Sequence, residues 1–221
     1  MGHGRLSAAW LLLASMALPR PCVAQAPQPW TFVPDVVVVG APGDPRIEMV
    51  SAAIEYWNRQ LAQAGAGLRL PPPRLETRRV PEAALQQLSR SVLQGGLPPL
   101  PIPAELRQLP GELSIVLGES AFVSFASPFF DARTRRVIGL RRMDQAPLDW
   151  PNVAQNVVAH EIGHALGLGH NADPALLMCG RPAACRPPDF MATPPRFFEL
   201  TDDERSRLAS MYPQALPQRP R

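Results

Sequence analysis

The segment His160–His170 reads HEIGHALGLGH, and the spacing of its residues is what could do chemistry. On a helix, His160 and His164 stand one turn apart on the same face, so both imidazoles can reach one metal ion, while Glu161 points beside them toward a metal-bound water. Gly167 can adopt a left-handed conformation that ends the helix and lets His170 swing back as a third ligand. Three neutral nitrogens around zinc leave a position open for water, and a carboxylate beside it can act as general base. This pattern predicts hydrolysis by a metal-activated water. The chain has four histidines, and all except His3 lie in this segment. Serine or cysteine nucleophiles that depend on histidine therefore have no base left to them.

These side chains need elements to hold them. The motif falls in a helix expected over Asn152–Leu166, with Val153, Val157, His160 and His164 on one face. Upstream, the valine run of Asp35–Gly40 predicts a buried strand. Asp44, Pro45 and Gly65 bracket a helix in which Ile47, Val50, Ile54, Trp57 and Leu61 recur at spacings of three and four. A short strand broken by prolines over Leu68–Val80, a helix from Pro81 to Gly95-Gly96 and a proline-ruled surface connection over Leu97–Gly111 follow. Leu113–Gly118, Ala121–Ser127 and Arg136–Arg142 are further strand candidates, with Ala121–Ser127 expected at an exposed edge. Thr201 and Glu204 are spaced as a capping box that opens a last helix, which Pro213 closes. Strands between helices indicate a mixed α/β layer.

Arg5, the apolar run Leu6–Leu18 and the small residues before Ala24 have the order of a secretory signal peptide, expected over residues 1–24. The run is too short to span a bilayer, and LPRP before Cys22 lacks the small residues of a lipid-anchoring site, so no stable membrane anchor is expected. Removal of residues 1–24 takes Arg5 and Arg20 and no acid, leaving 20 arginines against 19 acids and a net charge of +1. That excludes a long-range electrostatic footprint for nucleic acid. It also leaves two cysteines, Cys179 and Cys185, which in an exported chain are expected to form a disulfide. Localisation is accordingly read as secreted, extracellular or periplasmic.

The pattern HExxHxxGxxH over His160–His170 resembles the metzincin signature, and the chain is similar to matrixin-type (matrix metalloproteinase-like) catalytic domains. Met178, eight residues after His170, resembles the family's Met-turn, a hydrophobic floor under the histidines. The segment LTDDERSRLASMY, with Asp203, Glu204 and Tyr212, resembles its last helix. The resemblance spans residues 150–213. It implies an α/β (α+β) fold: a twisted mixed sheet with packed helices, an active-site helix, a Met-turn and a C-terminal helix. It further implies a single catalytic domain over residues 25–221, with an upper part of about 30–169 and a lower part of about 170–213. One catalytic zinc on His160, His164 and His170 is implied, with Glu161 as base and then proton donor to the leaving nitrogen. The partner implied is a protein or peptide substrate laid antiparallel on a sheet edge, and the chain is expected to be a monomer.

The sequence departs from the family in four places. No PRCGxPD-like segment precedes the motif, and the additional histidines of a structural-zinc loop are absent, so a second zinc is not expected; for calcium the sequence carries no sign either way. Asn171 stands where matrixins commonly have serine, and Glu204 where an aspartate is expected. The alternative to an active endopeptidase is a catalytically silent zinc-containing binding protein on the same fold. Retention of Glu161 beside all three histidines favours the enzyme.

Overall fold

Four consecutive valines, Val36–Val39, form strand β1 with every side chain buried, which requires cover on both faces of the sheet. The computed structural model describes residues 28–94, 102–128, 135–150, 152–180 and 189–219. Helix α1 spans Pro45–Gln63, with the Asp44 carboxylate accepting from Arg46 N and Gly65 turning left-handed (φ 73°) just past its end. Strand β2 (Arg74–Glu76), helix α2 (Glu82–Leu93), the short helix α3 (Ala104–Arg107), and strands β3 (Leu113–Leu117), β4 (Phe125–Pro128) and β5 (Arg136–Leu140) follow. Helix α4 (Ala154–Leu166), a 3-10 turn over Asp189–Met191 and helix α5 (Asp202–Met211) complete the order.

The five strands make one mixed sheet in the order β2-β1-β3-β5-β4, parallel except for β4, which runs antiparallel to β5 at the edge. β4 is thus the outer strand near the motif, and β3 lies inside. Strand alternation divides the core. Val36, Val38, Ile115 and Ile138 face α1 and α4, while Val37, Val39, Val116 and Val137 face α2 and α3.

Three boundaries differ from the sequence expectation for physical reasons. The Leu97–Gly111 connection is not purely a surface one: Ile102, Leu106 and Leu109 are buried against the second face, because prolines break long helices without preventing apolar burial. β4 takes only the second half of Ala121–Ser127. Pairing with β5 begins at Phe125 opposite Gly139, where a Cβ would lie 2.5 Å from the Phe125 ring, and beyond it Arg141 N donates to the Ser124 hydroxyl instead of to a backbone carbonyl. Helix α4 starts at Ala154, with Asn152 and Val153 in a turn before it. No helix among the described residues is long and apolar enough to cross a membrane.

Candidate metal centre

α4 carries His160, Glu161 and His164, and its position is set by buried contacts on its far side. The Trp57 indole N–H of α1 donates to Ala159 O at 2.8 Å. At Gly163, between the two histidines, a Cβ would stand 2.5 Å from Met178 Sδ and 2.9 Å from Trp57 Cζ2, so glycine is what lets both side chains press against the helix. Gly167 then takes φ 106°, the left-handed cap that turns the chain back toward the helix.

That return brings His170 Nε2 to 3.2 Å from His160 Nε2 and 3.0 Å from His164 Nε2, and the three candidate ligand atoms lie within 4.8 Å of one another. His160 Nδ1 sits 2.8 Å from Leu177 O, and His164 Nδ1 sits 2.9 Å from Leu168 O. A carbonyl oxygen can only accept, so both Nδ1 atoms carry the proton and both Nε2 atoms present lone pairs to the centre. Burial favours the neutral form of two of the rings: it drives the His164 pKa down to about 4 and lowers that of His170. Neutral nitrogens converging with fixed tautomers form a donor set that fits zinc. Glu161 is buried beside them, and without an ion burial pushes its carboxyl up to about 8.

The third imidazole is held from below. Asn171 N donates to Met178 O at 2.8 Å and Gly180 N to Asn171 O at 3.1 Å, joining the His170 segment to the turn at Met178. Met178 is fully buried. Gly180 lies flat against His170, where a Cβ would fall 2.2 to 2.5 Å from the ring atoms. Two of the departures noted in the sequence meet here: Asn171 Nδ2 donates to Glu204 Oε1 at 2.7 Å, while Glu204 Oε2 accepts from Thr201 N at 2.8 Å in the capping box of α5. Cys179 is disulfide-bonded; Cys185, its expected partner, lies outside the described residues.

A cavity of about 620 Å³ opens beside His160 and Glu161. Asn152 and Asn156, two asparagines that sequence reasoning passed over, line it and tie the helix to the neighbouring segment 196–198. Asn152 accepts from Arg196 N and donates to Asp189 O and Ala192 O. Asn156 accepts from Phe198 N and donates to Arg196 O. Two asparagines four apart at the start of an apolar helix were the available signal, since buried amides need partners.

The family model for matrixin matches residues 142–212, less than half of the chain. Among solved structures, archaemetzincin from Methanopyrus kandleri is similar at 15% identity and a TM-score of 0.43, over 80% of this chain and 93% of that one. A chaperone-substrate complex is similar at 12% identity and the same TM-score of 0.43, over 82% of this chain and 36% of that one. No curated protein matches. Both structural likenesses are distant, so the functional reading rests on the matched segment and the imidazole cluster. Together with the mixed sheet these support a metzincin-type zincin fold and suggest a zinc metallopeptidase.

Proposed function

We propose that the chain is a secreted zinc-dependent endopeptidase of matrixin type, exported by residues 1–24 and carrying one catalytic domain over residues 25–221. The observation that supports it most is the convergence of three imidazoles, two with tautomers fixed by Leu177 O and Leu168 O, next to a buried carboxyl. His160, His164 and His170 would hold the zinc. Zinc bound there lowers the pKa of water and polarises a carbonyl.

The remaining steps belong to the chain. Glu161 takes a proton from the attacking water and later delivers it to the leaving nitrogen, and its burial keeps bulk water from competing for that proton. The outer edge of β4 offers main-chain hydrogen bonds to an extended peptide laid antiparallel to it, which holds the substrate whatever its side chains. Met178 is the apolar floor beneath the histidines and not a ligand. Cleavage of a mixed peptide library by the purified protein, stopped by a chelator and restored by zinc, is the test. A chain that binds zinc and cleaves nothing would instead be a zinc-containing binding protein. N-terminal sequencing of exported protein should begin at Gln25.

A further inference from the structure

We propose that the cavity beside His160 and Glu161 selects an acidic side chain on the substrate, and that Arg141 is the residue that reads it. This inference rests on the endopeptidase reading. β4 runs from Phe125 to Pro128, so a peptide antiparallel to it has its N-terminal half near Ser127 and its C-terminal half near Val123 and Ala121. Val123 and Ala121 line the cavity together with His160 and Glu161. The side chain that enters therefore belongs to the residue following the cut.

Glu161 apart, the charges that line the cavity are paired, with one exception. Glu119 is held by Arg46 Nη2 at 3.2 Å, and Arg142 pairs with Asp144. The amides of Asn152 and Asn156 are taken up by backbone groups of Ala192, Arg196 and Phe198. Arg141 has no acid: among the described residues its guanidinium forms no ion pair, and its Nε is buried without a hydrogen-bond partner. Its backbone is fixed from two sides, since Arg46 Nη1 donates to Arg141 O at 3.0 Å and Arg141 N donates to Ser124 Oγ at 3.2 Å. Arg141 lines the cavity on a fixed backbone with its Nε lacking a protein partner, and a guanidinium there matches the fork of a carboxylate, whereas an apolar or basic occupant offers it no acceptor.

Two measurements on the zinc-loaded full chain test this. In the first, calorimetry compares two peptide hydroxamates that differ only in the side chain entering the cavity, carboxyethyl or isobutyl. In the second, kcat/KM is compared across peptides that carry Glu, Leu or Arg after the cut. The carboxylate should be favoured about tenfold in both, Arg141→Met should erase the preference, and Arg141→Glu should turn it toward Arg. Equal binding of the two hydroxamates, or a preference that survives both substitutions, overturns the proposal. A carboxylate preference in binding without cleavage of any peptide supports the pocket and removes the endopeptidase reading.

Discussion

The side-chain amide of Asn171 donates to the Glu204 carboxylate at 2.7 Å, linking the residue after the third imidazole to the first turn of the last helix. Glu204 is nearly buried and uses its other oxygen for the Thr201 cap, so the longer acid spans both tasks. Asn171→Ala should cost about 1–3 kcal/mol of stability by leaving a buried carboxylate oxygen unpaired. Because that side-chain bond ties the residue next to His170 to α5, the variant should weaken zinc binding about tenfold as well. Denaturant unfolding and competitive zinc titration read the two effects; an unchanged zinc affinity would limit the pair to a structural role.

Glu161→Gln preserves the shape of the side chain and removes the proton acceptor. Hydrolysis should fall by about 100-fold or more while one zinc per chain is retained. Undiminished cleavage would take Glu161 out of the mechanism, and metal analysis would show whether the zinc site survived.

Gly180→Ala would set a methyl group 2.2 to 2.5 Å from the His170 ring and force that ring aside. Zinc affinity should drop by about 100-fold, with the helices still formed by circular dichroism. Full affinity in this variant would mean that the His170 loop yields more easily than its backbone pairing suggests.

Asn156→Ala removes the acceptor of Phe198 N, while Arg196 O keeps its bond from Gln155 Nε2. A loss of about 1–3 kcal/mol is expected from the buried backbone N–H of Phe198 losing that acceptor. The loosened segment should also flatten selectivity among peptides differing after the cut, which steady-state kinetics would detect.

Removal of zinc should lower the unfolding temperature by about 10 °C, since the ion binds only the folded arrangement of the three imidazoles. A scan with chelator and with added zinc gives the shift. Identical midpoints would show that the site is not occupied under those conditions.

The features legible in the sequence were the ones set by local spacing. One helical turn places His160 and His164 together, four valines in a row require a doubly covered strand, and Thr201 with Glu204 caps α5 within a single turn. Gly167 was readable because a helix followed by a reversal needs a residue that tolerates positive φ. What the tertiary structure decided joins segments with no periodic relation to one another. Trp57 reaches Ala159 across 102 positions, Asn156 holds Phe198 across 42, and Asn171 finds Glu204 across 33. The backbone clamp that leaves Arg141 at the cavity comes likewise from Arg46, 95 residues away on another element. Such contacts depend on where the sheet and α1 fix α4 in space. Side-chain type and spacing along the chain determine the donor set, whereas the packing of distant elements determines which donors meet, which stay unpaired and what the cavity between them can recognise.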